Sequence, residues 1–196
     1  MSENCDHNHA DDAPMRFAER GNLYLGLTGV AVGLFTGSNA ALADGIHNVA
    51  DSRAHKAHRD TAEAERHDLG AKNVTKARKR AGVLIGAGAL LVGGYSAYEI
   101  AQGSPDSSLN VPAVAIEAGS IALNGVVAYK FSKQQKTLQG QTHSHRHNLV
   151  DLATSSVAMV GILANPVLPH ADSAAGIFVS VVTGSLGVQI YKGKAH

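Results

Sequence analysis

The chain has 196 residues, of which 44% are hydrophobic and 17% charged, and it contains 21 Gly and no Trp. The length fits one domain, and the net charge of +1 excludes attraction to nucleic acid through an overall excess of positive charge. The single cysteine, Cys5, excludes an intrachain disulfide and any CxxC metal or redox site. Because the first twelve residues are polar and acidic, no N-terminal signal peptide is predicted.

The predicted elements begin with a flexible polar tail, residues 1–15, whose Cys5, His7 and His9 either capture metal or are simply solvated. Five nearly uncharged stretches follow, each with about the 17–25 residues that a bilayer-spanning helix needs. They cover 21–43, 81–98, 107–129 with Glu117 as its single charge, 152–171 and 173–191. A turn at residues 37–39 divides the first stretch. The sequence therefore predicts six helices, near 16–36, 38–57, 81–101, 111–131, 147–164 and 173–191.

Glycine is frequent inside these stretches, with five in residues 81–100 alone. In a soluble helix each would cost roughly 1 kcal/mol relative to alanine, whereas in a membrane small residues let helices pack closely. The pattern favours an all-α polytopic membrane protein, with residues 16–192 as its transmembrane domain. A soluble bundle with an Ala/Gly-rich core is the alternative, and extraction without detergent would separate the two.

The positive charges fall on one side of the six predicted helices. All 17 Lys and Arg lie at the N-terminal start, in residues 53–80, in residues 130–146 or at the C-terminal end. The two opposite connections, "QGSPDSSLNVP" and "NPVLPHAD", have none. Since basic residues mark the cytoplasmic side, both termini are predicted to be cytoplasmic. A five-helix alternative, in which residues 21–43 cross once, still keeps 15 of the 17 on one side.

Two His-xxx-Asp motifs place ionisable residues within predicted helices: His47 and Asp51 in the second, His147 and Asp151 in the fifth. Residues four apart share a helix face, and two imidazoles with two carboxylates form a tetrahedral ligand set suited to Zn²⁺ and acceptable to Co²⁺, Cd²⁺ or Mn²⁺. Ionisable residues inside a membrane span are expensive and usually functional. The structural alternative is that each pair faces water at a helix end.

The quoted motifs carry a resemblance to the cation diffusion facilitator family. "SNAALADGIHNVADS" is similar to the second-helix signature and "RHNLVDLATSSVA" to the fifth, and the resemblance covers most of residues 16–192. It implies a six-helix transmembrane bundle of that type, a homodimer in the cell membrane, and export of a divalent cation from the cytoplasm in exchange for protons. Zn²⁺ would be the transported ion, because a His/Asp pair on the second helix resembles the zinc-preferring members. Such a protein is a carrier and no enzyme.

Two departures from the family pattern bear on this expectation. After Asp51 the chain continues with the polar "SRAHKAHRDTAEAERHD", which either places the site at the cytoplasmic mouth or marks a degenerate second helix. The soluble C-terminal domain of the family is not expected, since only four residues follow Lys192. The rival expectation is therefore a shortened relative that binds metal, or modulates a partner, without transporting.

A proton dependence follows from the ligand types. Histidine binds metal only when its ring is neutral, and aspartate only when it is ionised, so protons and metal should compete between about pH 5 and 7. Release of metal toward a more acidic side and return of the protonated site would then produce antiport.

Overall fold

The computed structural model describes residues 13–67, 71–103, 109–134 and 142–193, and within these ranges every regular element is an α-helix. The predicted all-helical class with six helices is confirmed. In chain order the helices are α1 (Ala13–Thr36), α2 (Asn39–His67), α3 (Ala71–Gln102), α4 (Val111–Gln134), α5 (Thr142–Ala164) and α6 (Ala171–Lys192). Apart from its last residues at the start of α1, the predicted metal-capturing tail lies outside the described residues.

The turn between α1 and α2 is closed by residues from the far end of the sequence. Gly37 adopts a left-handed conformation with φ of 73°, and the Ser38 hydroxyl then accepts a hydrogen bond from the backbone N–H of Ala41, as an N-cap does. The Asp172 carboxylate, in the first turn of α6, accepts bonds of 2.7 Å from Ser38 Oγ and from the Asn39 backbone N–H. Asp172 therefore accepts hydrogen bonds from donors at the start of α2 and connects that end of α2 to α6.

Close helix contacts depend on glycine, and one contact in each of two helix pairs illustrates this. A Cβ atom built on Gly26 of α1 would lie 2.7 Å from the backbone nitrogen of Val49 in α2, and one on Gly82 of α3 would lie 2.7 Å from the carbonyl oxygen of Gly187 in α6. Only a residue without a side chain allows these backbones to approach so closely. The result is two antiparallel pairs, α1 with α2 and α3 with α6, and α2 contacts all five other helices.

The polarity of the bundle is inverted relative to that of a soluble protein. Leu84, Leu90 and Leu91 on α3 are 72%, 78% and 74% exposed, whereas the interior contains small residues and buried polar groups. Large exposed apolar surfaces of this kind are found where a protein meets another protein or lipid. The exterior of this bundle is thus apolar where its interior is polar.

Three of the described helices are long and apolar enough to cross a membrane: Thr75–Gln102, Val111–Lys130 and Ala171–Lys192. The apolar part of α5, Leu149–Ala164, is shorter. The structure also makes α2 and α3 longer than expected, at 29 and 32 residues, and ten added residues lengthen a helix by roughly 15 Å. The second half of α2 and the start of α3 carry exposed basic residues and form the basic end of the molecule.

Candidate metal centre

Three of the four predicted ligands meet in the interior of the bundle. His47 Nε2 lies 3.4 Å from Asp51 Oδ2 and 3.5 Å from Asp151 Oδ1. One ligand atom from each residue can be chosen so that all three lie within 4.8 Å of one another, and all three residues are buried. The helix α2 supplies the first two and α5 the third, so that a single ion could join the two helices.

The spacing of these atoms suits a bound ion better than a direct hydrogen bond. An N–H···O bond normally spans about 2.7–3.2 Å, which is shorter than both separations. Two ligands each bound at 2.0–2.2 Å to a tetrahedral metal lie about 3.3–3.6 Å apart. The observed separations of 3.4 and 3.5 Å therefore match two edges of such a tetrahedron.

The orientation of the His47 ring is fixed by α6. Thr183 Oγ1 donates a 2.8 Å hydrogen bond to the carbonyl of Val179 and lies 3.2 Å from His47 Nδ1. When the Thr183 proton bonds Val179, the Thr183 oxygen accepts from Nδ1–H of the tautomer protonated there. The neutral ring then carries its lone pair on Nε2, the atom that faces the two aspartates. A metal-binding histidine is commonly held in this way by its second nitrogen.

The fourth predicted ligand, His147, belongs to α5 and precedes Asp151 by four residues. Its side chain lies outside the described residues, and its part in the site stays a prediction. The position of the group along α6 is clear from Thr183, which is twelve residues from Ala171 and nine from Lys192. The three ligands therefore lie near the middle of α6 and away from both of its ends, and not at one mouth of the bundle.

A second polar group, not predicted as part of the site, lies one turn away. Asp44 accepts hydrogen bonds from Asn48 Nδ2 at 2.7 Å and from Ser155 Oγ at 3.2 Å, and Glu117 of α4 is its acidic neighbour. Both acids are buried, at 1% and 0% exposure. Asp44 precedes His47 by three residues and thus shares its helix face. Glu117 is the one charge in its apolar stretch. The sequence therefore offered a reason to include either residue in the predicted site.

The interior around His47 is rich in buried acidic groups. The carboxyl groups of Asp44, Asp51, Glu117 and Asp151 are all buried, and the buried side chains among the described residues include no Lys or Arg. Isolated charges in a low-dielectric interior are strongly unfavourable, so they are neutralised by protons or by a partner of opposite sign. The arrangement can therefore hold protons, a metal ion, or each in turn.

The chain matches no family model, and no curated protein matches its sequence. The resemblance to the cation diffusion facilitators rests on the two motifs and their helix positions.

Proposed function

We propose that this protein is a membrane carrier that binds a divalent cation, with Zn²⁺ as the first candidate, through His47, Asp51, Asp151 and His147. The observation that carries the proposal is the buried meeting of His47, Asp51 and Asp151 from two helices at tetrahedral separations. Co²⁺, Cd²⁺ and Mn²⁺ remain chemically acceptable cargo for nitrogen and carboxylate ligands.

The carrier would export the ion from the cytoplasm in exchange for protons. Metal requires a neutral imidazole and ionised carboxylates, so every bound ion displaces protons from the same atoms. A site that opens alternately to two compartments then exchanges one for the other. The apolar exterior of α3 and the three helices long enough to span a membrane support this location, with the basic helix ends and both termini in the cytoplasm and a second copy as the expected partner.

The test is metal flux in sealed vesicles. The full chain is reconstituted with a Zn²⁺-sensitive dye inside, and an outward or inward pH gradient is imposed. We expect Zn²⁺ uptake that follows the proton gradient, and its loss in Asp51→Asn and Asp151→Asn. Glu99→Gln is the matched control, since it neutralises a half-buried carboxylate on α3 that bonds Asn39 and Ser173 and lies outside the centre. Flux that persists in both Asp variants would contradict the proposal.

A second candidate is a membrane protein that binds metal without moving it. One observation favours it: α2, which supplies two ligands, is not among the helices apolar enough to span a membrane. Such a protein would bind Zn²⁺ with the same dependence on Asp51 and Asp151, yet show no flux above that of empty vesicles. Binding and flux measured on one preparation therefore decide between the two.

A further inference from the structure

A cavity of about 520 Å³ lies between α2 and α3, at the basic end of the bundle and apart from the metal centre. Its walls include four cationic side chains, Arg53, Lys56, Arg78 and Arg80, and its floor is apolar, with Leu84 and Ile85. No function described above uses these residues.

Among the side chains that the structure describes, cations outnumber acids in the lining of the cavity. Of these described residues one is a carboxylate, Asp60, whose Oδ2 lies 3.6 Å from Lys56 Nζ. Even with that pair set aside, three guanidinium groups face one space. Like charges held together repel each other, so an anion in the cavity would stabilise the arrangement.

One of the guanidinium groups also has a hydrogen-bond donor that is not used. Arg78 Nε is buried, and within the described ranges it has no hydrogen-bond acceptor. A buried donor without a partner costs free energy. Guanidinium groups bind phosphate oxygens well, because their N–H groups match the spacing of two such oxygens.

The position of the cavity indicates that its ligand also has an apolar part. Arg78 and Arg80 lie just inside the start of the apolar segment Thr75–Gln102, and Leu84, one turn deeper, is 72% exposed toward the outside of the bundle. Lys79 lies 5.7 Å above the ring of Tyr191 at the same level, and tyrosine is typical of the membrane–water boundary. A fitting ligand therefore has an anionic head and an apolar tail.

We infer that this cavity binds the phosphate headgroup of an anionic membrane phospholipid, with one acyl chain lying along Leu84. Basic pockets between helices on the cytoplasmic side are suited to such headgroups. The inference rests on the proposed membrane location, but it does not depend on metal transport. A phosphate compound free in the cytosol would share the headgroup chemistry and lack the tail.

The experiment uses the full chain in neutral detergent, with phosphatidylglycerol as the probe and phosphatidylcholine as the uncharged comparison. We expect saturable binding of phosphatidylglycerol, observed by native mass spectrometry, at one molecule per chain. Arg53→Gln combined with Arg80→Gln should weaken it by about fivefold for each cation removed. Both side chains are exposed, so this variant should fold, and its Zn²⁺ titration should be unchanged.

The control variant, Arg16→Gln with Lys130→Gln, removes two exposed cations from α1 and α4 and should bind phosphatidylglycerol as the natural chain does. Equal binding of the two lipids, or an equal loss in both double variants, would overturn the inference. Displacement of the lipid by equimolar inorganic phosphate or ATP would overturn the lipid assignment in favour of a cytosolic phosphate ligand. Lipid binding lost together with Zn²⁺ binding would count against a separate site.

Discussion

The charged residues in the two halves of α2 lie in different surroundings. In the first half, Asp44, His47 and Asp51 are buried, and the interior around them has no Lys or Arg among the described residues. In the second half, Arg53 and Lys56 are exposed beside the basic residues of α3. The acids of the first half are balanced only when a proton or a metal ion enters, whereas in the second half Lys56 has Asp60 beside it and both side chains reach water. One helix thus combines a buried acidic segment with an exposed segment of mixed charge.

The largest effect is expected from the first half of α2. Asp51→Asn and Asp151→Asn each remove a charged ligand from a site of few ligands, and Zn²⁺ affinity should fall by roughly 100-fold or more, beyond the 10–100-fold typical of residues that only support a ligand. Isothermal titration calorimetry on the purified chain measures this. Arg53→Gln, in the second half of the same helix, should change the affinity by less than about twofold because its charge is exposed and screened. Similar losses in the acidic and basic variants would remove the distinction between the halves.

The support given to His47 by α6 should have the next largest effect. Thr183→Val keeps the shape of the side chain but removes the acceptor for Nδ1–H, so Zn²⁺ affinity should fall by about 10–100-fold. Thr183→Ser, which restores the hydroxyl, should recover most of it. Ser180→Ala, on the same buried side of α6, is the control. A valine variant that binds normally would show that the ring is held by other groups.

Acid should weaken metal binding at the first half of α2. Because Zn²⁺ needs neutral His47 and ionised Asp51 and Asp151, protons compete with it, and affinity should fall by up to about tenfold per pH unit for each proton displaced. Calorimetry in buffers of different ionisation enthalpy gives the number of protons released per ion. The His47→Ala variant should release fewer protons. An affinity that is flat from about pH 7.5 to 5.5 would contradict proton competition at these ligands.

The smallest effect is expected from the ion pair in the second half. Lys56 Nζ and Asp60 Oδ2 lie 3.6 Å apart with side chains 46% and 36% exposed, and exposed pairs contribute about 0–1 kcal/mol. Asp60→Asn should therefore change the free energy of unfolding by less than about 0.5 kcal/mol, as measured by chemical denaturation in detergent. A loss of several kcal/mol would mean that this extension is an integral part of the packed bundle.

The sequence predicted the ligands of the site better than the residue that holds His47 in place. His47, Asp51 and Asp151 could be found because ionisable residues at a spacing of four within a predicted membrane helix are costly and usually functional. Thr183 could not, since an uncharged residue acquires its role only from the crossing of α2 and α6. The length of α2 was underestimated because its end was judged by hydropathy. The Ala, Glu, Lys and Arg in "HKAHRDTAEAERH" are strong helix formers whatever their polarity.

Asp172 and Thr183 together set the register between two parallel helices. Asp172 bonds the start of α2 at Ser38 and Asn39, and Thr183, eleven residues further along α6, contacts His47. Two attachments at different heights prevent α2 from sliding along α6 or turning about its own axis, because a slip of one turn, about 5.4 Å, would break both. Any motion of α2 relative to α5 at the centre should therefore carry α6 with it as a single rigid unit.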